Sequence, residues 1–352
     1  MDIAVIAPCG DVGRQIVQQV VVERLLACNE RLVLVGNPDG DSARSVYGLV
    51  ADLMDAYAEI APCIEVVLDP AAIRADLIVE AAGATPTPTL RTAPLSRDVL
   101  AERNAPILDA HARAIAENGH GHEIVVCIAN PNELAVALFA KHLGRNRVIG
   151  MGAFLDSLRF RQEIAIDLGI RRQRIHAFIA GEHGVSIVPL WSNVHVYAFE
   201  GDELMHELER IRRGVDAARF PMVLQDAQVE VQRLIVAGRI REAYAAVDTL
   251  PPDVRVVVRP FVTHYSGAKT VIGTARATME LLRTITLGAD ALISGQVALD
   301  GEAYGIRGTI GIPFVIGNRG VDRVFELPLE ASERAYLCES AAAVQTKIAP
   351  YL

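Results

Sequence analysis

The sequence predicts an α/β fold in which a doubly wound parallel sheet is followed by a second, α+β domain. Short β-branched runs alternate with helical stretches up to about residue 150, as expected for strands joined by crossover helices. Longer helices and hairpin-like strands come after that point. Of the 352 residues, 51% are hydrophobic but only 5% are aromatic, a composition typical of buried parallel strands and their covering helices. We therefore expect one domain over residues 1–150 and another over residues 151–352.

Six short apolar runs in the first half predict the strands of the parallel sheet. They cover residues 3–6, 32–35, 64–67, 77–81, 124–128 and 148–150. A turn containing glycine follows the first run, and a helical pattern extends from residue 14 to about residue 27. Because parallel neighbours need crossover connections, these runs and the helices between them predict one open sheet with helices on both faces.

In the second half, the apolar pattern predicts long helices and a smaller number of strands. The predicted helices cover residues 202–215, 224–249, 275–285 and 331–348, the last of them amphipathic. The predicted strands cover residues 254–258, 291–297 and 308–316. The first of these strands follows Pro251-Pro252, where we expect the preceding helix to stop.

Charge and composition exclude several classes of protein. Acidic residues outnumber basic ones by 43 to 34, and the formal net charge of −9 argues against general binding to nucleic acid or to an anionic membrane. No apolar run reaches the roughly 18 to 20 residues of a transmembrane helix, and the strand-like run follows Met1-Asp2 directly, so we expect a cytoplasmic protein.

Five scattered cysteines indicate no disulfide framework. We interpret His120-Gly121-His122 as a loop pair, and we expect no metal.

The turn after the first predicted strand has the features of a dinucleotide-binding turn. Its sequence is Ala7-Pro8-Cys9-Gly10-Asp11-Val12-Gly13, and a helical pattern follows. Glycines in such a turn let the backbone approach a pyrophosphate, which then lies at the amino end of the helix. The first glycine of the usual pattern is missing, but Gly10 and Gly13 have the right spacing. We therefore predict that Gly10, Asp11, Val12 and Gly13 bind a cofactor.

The end of the second predicted strand differs from the usual NAD-binding pattern. That position normally carries an acidic residue that binds the ribose 2′-hydroxyl, but here the chain reads Gly36-Asn37. The missing charge removes the repulsion against a 2′-phosphate, so we favour NADP, or use of both NAD and NADP. Three side chains are candidates to bind that phosphate: Asn37, Ser42 and Arg44. The alternative is that Asp39 or Asp41 replaces the missing carboxylate.

Two motifs in the second half suit hydride-transfer chemistry. One is Leu155-Asp156-Ser157-Leu158-Arg159-Phe160-Arg161, and the other is Gly181-Glu182-His183-Gly184. Reduction of a 2-oxo acid needs a proton donor at the carbonyl oxygen, and a histidine such as His183 titrates near neutral pH. A buried carboxylate, here Asp156, can fix the histidine tautomer and stabilise the imidazolium. Arg159 suits a bidentate interaction with the substrate carboxylate.

Three further segments belong with these motifs: the stretch from Arg91 to Arg97, Ile128-Ala129-Asn130-Pro131 and Gly311-Ile312-Pro313. In all of these segments the chain resembles the lactate/malate dehydrogenase family, most closely its malate branch. The resemblance implies a Rossmann cofactor domain and a homodimer or homotetramer. It also implies that Arg97 polarises the substrate carbonyl as a lid closes. Arg91 stands where malate enzymes have an arginine and lactate enzymes a neutral residue, which implies a dicarboxylate substrate. Asn104 and Asn130 would lie at the cofactor, with Asn130 also near the substrate.

The sequence departs from the family pattern at three places. Val185 replaces a common aspartate, residues 85–90 lengthen the entrance to the lid, and residues 222–262 exceed the usual helical passage. The longer lid leaves open a larger 2-hydroxy dicarboxylic acid as the substrate, and lactate is a further alternative to malate. A third hypothesis is a catalytically inactive nucleotide-binding protein of the same fold.

Overall fold

Parallel strands joined by helices make up the first half of the chain. The computed structural model describes residues 1–84, 97–184, 186–197, 199 and 201–352, with only the backbone of Arg97. In order, the elements of this half are β1 (Ile3–Ile6), α1 (Asp11–Val22), β2 (Arg31–Val35), α2 (Ser42–Tyr57), β3 (Cys63–Val67), β4 (Leu77–Glu80), α3 (Arg97–Asn118), β5 (Ile124–Cys127), α4 (Asn132–Leu143) and β6 (Val148–Gly150). The strand order is β3-β2-β1-β4-β5-β6, which is the doubly wound arrangement that the sequence predicts.

The second half adds helices and antiparallel strands to the same sheet. Its elements are α5 (Gly152–Leu168), β7 (Ile175–His176), β8 (Ile179–Gly181), β9 (Ile187–Pro189), β10 (His195–Val196), α6 (Gly201–Arg212), α7 (Phe220–Val236), α8 (Ile240–Asp248), α9 (Pro252–Tyr265), α10 (Val271–Leu287), β11 (Ala291–Asp300), β12 (Arg307–Gly317), β13 (Gly320–Val324) and α11 (Ala331–Ile348). The sheet continues from β6 through β11 and β12 to β8 and β9, and β13 pairs with β12. β7 and β10 form a separate two-stranded sheet. β6 is the last parallel strand: it pairs with β5 in parallel and with β11 in antiparallel orientation.

Burial explains why the central strands are continuous apolar runs. Every residue of β1, β4 and β5 is buried, because helices cover both faces of the sheet. The edge strand β3 instead alternates between exposed and partly buried positions before its buried end at Val67. Each fully buried aliphatic side chain contributes about 1.5–3 kcal/mol of transfer free energy, so this layer supplies much of the stability.

Two predictions about the second half are wrong. Residues 254–258 form part of helix α9 and not a strand: Pro251 is the N-cap, Pro252 is the first helical residue, and both prolines therefore start a helix. Tertiary burial of this valine-rich run outweighs its β propensity. The single helix predicted over residues 224–249 is divided into α7 and α8, because Gly238, with φ of 73°, lies between them.

The segment over residues 222–262, called the long segment below, packs beside α5. Helices α7, α8 and α9 share a second hydrophobic core that includes Phe160 and Ile164 of α5 and Val254 and Val258 of α9. The first core contains the parallel sheet and its helices. Among the described helices, none is long and apolar enough to cross a lipid bilayer.

Candidate active site

The turn between β1 and α1 has a shape that admits a phosphate. Gly10 is the N-cap of α1, with an extended backbone and no side-chain cap, and Asp11 and Val12 begin the helix. A Cβ on Gly13 would lie only 2.3 Å from the Ala7 carbonyl oxygen, so this close approach needs glycine. Ala7 has a positive φ of 59°, although glycine is usual for such a conformation. The residues therefore fit a pyrophosphate at the amino end of α1.

The loop after β2 is closed by its own hydrogen bonds. Gly36 donates its N–H to the Val67 carbonyl at 2.9 Å, and a Cβ there would lie 3.2 Å from the Ser42 carbonyl oxygen. The Asn37 N–H donates to Ser42 Oγ at 2.7 Å, and Asn37 Oδ1 accepts from the backbone. Arg44, in the first turn of α2, is 89% exposed and 3.6 Å from Asp41. The Arg44 side chain is therefore accessible to a ligand, whereas Asn37 and Ser42 are engaged in the hydrogen bonds of the loop.

Asn104 connects the carboxyl ends of β4 and β5. Its side chain is buried, accepts the Ala84 N–H at 2.7 Å and donates to the Asn130 carbonyl at 2.6 Å. The predicted cofactor residues Asn104 and Asn130 are therefore in direct contact. Because ligands of doubly wound sheets bind at the carboxyl ends of the strands, this contact shapes the same edge as the β1–α1 turn. Asn104 acts on that edge through the two backbone segments that it joins.

Asp156, Arg159 and His183 form the centre of the candidate site. His183 Nδ1 lies 2.7 Å from Asp156 Oδ2, and Arg159 Nη1 donates to Asp156 Oδ1 at 3.1 Å. The Asp156 carboxylate is 2% exposed, whereas the His183 side chain is 17% exposed. Burial by itself raises the pKa of Asp156, but the charges and hydrogen bonds of His183 and Arg159 outweigh it and lower that pKa. Asp156 therefore stays ionised beside the histidine.

Residues that the sequence analysis missed hold His183 in place. The His183 N–H donates to Glu133 Oε1 at 2.7 Å, and Gln296 Nε2 donates to the same oxygen at 3.1 Å. Gln296 lies on β11, so the second half of the sheet helps to orient the loop that carries His183. A Cβ on Gly152 would lie 2.5 Å from His183 Cγ, and the ring therefore needs glycine at this position. Glu133 follows Asn130-Pro131 closely in the sequence, which is the signal that was available.

His264, close to the end of α9, is a further residue that the sequence analysis missed. Burial, together with the positive charges of Arg159 and His183, lowers the pKa of His264. His264 thus senses the same electrostatic environment as the candidate catalytic residues. No motif in the sequence singles out His264, which lies beyond the strand predicted over residues 254–258.

One face of α5 extends from the catalytic pair to the long segment. Asp156, Arg159, Glu163 and Asp167 are spaced three or four residues apart, so they share this face. Arg255 of α9 is buried and donates to Glu163 Oε2 at 2.7 Å and to Asp167 Oδ1 at 2.8 Å.

A cavity of about 150 Å³ lies between α5 and α9. Arg159 and Glu163 line it from α5, and Pro260 and Thr263 line it from α9. Thr270, just before α10, is a further lining residue. Residues of α9 therefore form a wall beside Arg159.

Some predicted features lie outside the described residues. These are Arg91, the side chain of Arg97, Val185 and the lid entrance over residues 85–90. The backbone of Arg97 begins α3, whose later residues include Asn104.

Known proteins are similar to this chain in sequence and in fold. The family described as lactate/malate dehydrogenase, alpha/beta C-terminal domain, matches residues 214–351. A malate dehydrogenase of Geobacter sulfurreducens is 30% identical over 276 residues, which cover 78% of this chain and 76% of the relative. An L-lactate dehydrogenase of Moorella thermoacetica is 29% identical over 230 residues, 64% of this chain and 62% of the relative.

Solved structures extend the likeness to nearly the whole chain. The lactate dehydrogenase of Cryptosporidium parvum, complexed with lactic acid and nicotinamide adenine dinucleotide, has a TM-score of 0.74 at 25% identity and covers 99% of this chain and 97% of its own. The malate dehydrogenase of Plasmodium falciparum has a TM-score of 0.75 at 20% identity, covers 100% and 98%, and supports the fold. Together with the sequence relatives, these matches show that the chain belongs to the lactate/malate dehydrogenase family and is a nicotinamide-dependent 2-hydroxy acid dehydrogenase.

Proposed function

We propose that this enzyme is a malate dehydrogenase that interconverts malate and oxaloacetate. The observation that carries the proposal is the Asp156–His183 pair at 2.7 Å with Arg159 beside it, since this is a proton relay next to a carboxylate-binding cation. Arg91 favours a second carboxylate on the substrate, because the malate branch of the family has an arginine there. The 30% identity to the Geobacter malate dehydrogenase supports the same choice.

His183 is the proposed acid and base. With Nδ1 facing Asp156, Nε2 gives its proton to the carbonyl oxygen during reduction and takes the hydroxyl proton during oxidation. Asp156 stabilises the imidazolium and fixes the tautomer, as its lowered pKa allows. Arg159 binds the 1-carboxylate, Arg91 binds the far carboxylate, and Arg97 polarises the carbonyl. The nicotinamide supplies the hydride to the carbonyl carbon, or accepts it in the reverse direction.

The proposed cofactor is NAD or NADP, with a preference for NADP or dual use. Residues 1–150 form the proposed cofactor domain, and residues 151–352 the proposed substrate domain. Gly36 has too little room for the acidic side chain that usually binds the ribose, which supports this preference. The exposed guanidinium of Arg44 suits a 2′-phosphate, whereas Asn37 and Ser42 already bond to each other.

A larger 2-hydroxy dicarboxylic acid is the second candidate substrate. The cavity beside Arg159 favours it, because the cavity lies next to the proposed 1-carboxylate site and is lined by the polar side chains of Thr263 and Thr270. A substrate with a branched carbon chain would reach this space. The lengthened lid entrance over residues 85–90 favours the same candidate.

Steady-state kinetics on a panel of 2-oxo acids with NADH and with NADPH test the function. We expect the highest kcat/KM for oxaloacetate; a higher value for a larger dicarboxylate selects the second candidate. Arg91→Gln should shift the preference toward monocarboxylates, whereas Arg113→Gln, an exposed arginine on α3, should not. Cofactor binding without turnover of any 2-oxo acid would overturn the proposal in favour of an inactive nucleotide-binding protein.

The cofactor preference has its own matched pair of variants. Arg44→Ala should raise KM for NADPH and leave KM for NADH close to the parent value, because only NADPH carries the 2′-phosphate. Arg233→Ala is the control, since Arg233 is also exposed and pairs with a carboxylate three residues away. Equal effects of Arg44→Ala on both cofactors would contradict the assignment.

We also propose that the enzyme is a homodimer or homotetramer and that it acts in the cytoplasm. Light scattering tests the oligomeric state, and cell fractionation tests the location.

A further inference from the structure

Three potential metal ligands meet at the amino ends of β4 and β5. Asp76 immediately precedes β4, and His120 and His122 lie in the short loop before β5. The two strands are parallel neighbours with Leu77 opposite Ile124, so their preceding loops lie side by side. This is the opposite edge of the sheet from the carboxyl ends, where the cofactor turn lies.

The distances among the three side chains suit a shared ion. Asp76 Oδ1 lies 3.7 Å from His120 Nε2 and 3.9 Å from His122 Nε2. Two ligands at about 2.0–2.1 Å from a tetrahedral zinc ion are roughly 3.3 Å apart. The two distances from Asp76 exceed that value by about half an ångström, and the three ligand atoms all lie within 4.8 Å of one another. The two imidazole rings stack face to face with centroids 3.5 Å apart and an interplanar angle of 23°, so both rings would turn to point Nε2 at a shared ion.

We propose that Asp76, His120 and His122 bind a divalent transition-metal ion of the zinc type. Imidazole nitrogen and carboxylate oxygen are ligands that zinc accepts in proteins, and imidazole also suits cobalt, nickel and copper. His122 is 70% exposed and Asp76 is 45% exposed, so water has access to complete the tetrahedron. The sequence analysis interpreted the histidines as a loop pair because Asp76 is distant in the sequence; the sheet register supplies it as the third ligand.

The loop that carries the histidines is held in shape by a buried carboxylate. Glu123 is 2% exposed, and its carboxylate accepts the N–H groups of His120 and Gly121. Arg147 Nη1 donates to the same carboxylate at 3.3 Å. Because these contacts fix the loop backbone, the two imidazoles are presented together before any ion arrives, and less ordering entropy is lost on binding.

Neighbouring groups also orient the ligands. Asp76 Oδ2 accepts the Asp2 N–H at 2.8 Å, which leaves Oδ1 on the side of the histidines. His120 Nδ1 accepts the His122 N–H at 3.4 Å and lies 3.4 Å from Glu123 Oε1, so both its neighbours belong to the same loop. In the metal-free arrangement, His120 Nε2 lies 3.0 Å from the Ala75 carbonyl oxygen, and an ion would replace this hydrogen bond.

Zinc at this site would join β4 to β5 and stabilise the native state by mass action, because the unfolded chain does not hold the three ligands together. Because the site lies at the amino ends of the strands, it is remote from the proposed chemistry. We therefore expect zinc to raise the melting temperature without changing kcat.

The test uses the full-length, untagged protein after treatment with a chelator. Calorimetric titration with Zn²⁺ should give one site, a rise in melting temperature that EDTA reverses, and tetrahedral absorption bands when Co²⁺ replaces Zn²⁺. His122→Ala and Asp76→Asn should weaken binding by at least about tenfold and abolish the rise. His176→Ala is the matched control, because His176 is an exposed histidine opposite His195 on the two-stranded sheet and is remote in sequence from the proposed ligands.

The outcomes separate this proposal from the proposed function. Three results would overturn the metal site: no zinc binding by the parent, zinc binding that His122→Ala leaves unchanged, or zinc binding that His176→Ala removes. None of these results affects the dehydrogenase assignment. Dehydrogenase activity of His122→Ala at the parent level shows that the variant is folded, so a loss of zinc binding is assigned to the missing ligand.

Discussion

Two buried carboxylates each bond to Nδ1 of a histidine, one in the candidate active site and one at the carboxyl end of β4. The Asp156–His183 distance is 2.7 Å, and the Glu80–His111 distance is 2.9 Å. The carboxylate side chains are 2% and 0% exposed, and the histidine side chains are 17% and 15% exposed. Distance and burial alone therefore do not distinguish a catalytic pair from a structural one.

The two pairs differ in the third partner of the carboxylate. Arg159, a cation, donates to Asp156, whereas the backbone N–H of Ala82 donates to Glu80 at 2.7 Å. Burial alone lowers the pKa of His111, but the hydrogen bond and charge of Glu80 outweigh it and raise that pKa. An ionised carboxylate shared with an arginine suits a histidine that exchanges its proton with a substrate, whereas the Glu80 pair favours a histidine that keeps its proton.

The largest expected effect separates the pairs by activity. Asp156→Asn and His183→Gln should each lower kcat by about 10²- to 10⁴-fold, because proton transfer loses its donor or the group that stabilises the imidazolium. His111→Gln should leave kcat near the parent value when it is measured below the melting temperature. Turnover measurements with saturating cofactor check this, and parent-level turnover in either active-site variant would contradict the assigned roles.

The second prediction concerns stability. His111→Gln leaves the Glu80 charge buried without a cationic partner, which should cost about 3–5 kcal/mol of unfolding free energy. The folded-state pKa of His111 is raised, so its contribution is fully present below the unfolded value near 6.5 and is lost as pH rises through the folded value. Urea unfolding should therefore show a larger deficit at pH 6 than at pH 9. His142→Gln, which affects a more exposed pair with Asp109, should cost under about 1 kcal/mol.

A third carboxylate extends the comparison, because its side-chain partner is neutral. Asp253 accepts the Trp191 indole N–H at 2.9 Å, and burial raises the pKa of Asp253 from 3.8 to about 6. The folded state therefore binds this proton more tightly, so stability rises as pH falls from about 6 to about 4, by about 3 kcal/mol from this group. Asp253→Asn should remove that dependence and unfold at a higher temperature than the parent at pH 7.5. An unchanged pH profile in calorimetry would disprove the prediction.

Much of the fold was predictable because parallel strands leave a strong pattern. The apolar runs at the first six strands are continuous because both faces are buried, and the glycine turn after β1 marks the cofactor edge. The α9 segment was misjudged because a valine run has the same local appearance in a strand and in a buried helix. Arg255 and its partners on α5 are distant in sequence, so the ion pairs that hold α9 leave no local signal.

The candidate residues Asp156, Arg159 and His183 could be selected from motifs, whereas the residues that support His183 could not. Asp156 and Arg159 are three residues apart on one helix, and His183 lies in a glycine-rich loop. Glu133 and Gln296 reach the same loop from α4 and β11, and only the sheet topology brings them together. His264 reaches the region through the fold of the long segment, which the sequence alone did not define.

With Arg159 as the proposed carboxylate site, we expect the charged face of α5 to make substrate affinity depend also on arginines of α9. Asp156 and Arg159 lie at one end of that face, and Glu163 further along it pairs with Arg255 and Arg259. A substitution that removes one of these α9 arginines leaves Glu163 with excess negative charge two helical turns from Asp156. Such a change lowers the electrostatic potential at Arg159 and weakens its hold on an anion. Natural variation in the long segment is therefore a route to altered KM with the catalytic residues unchanged.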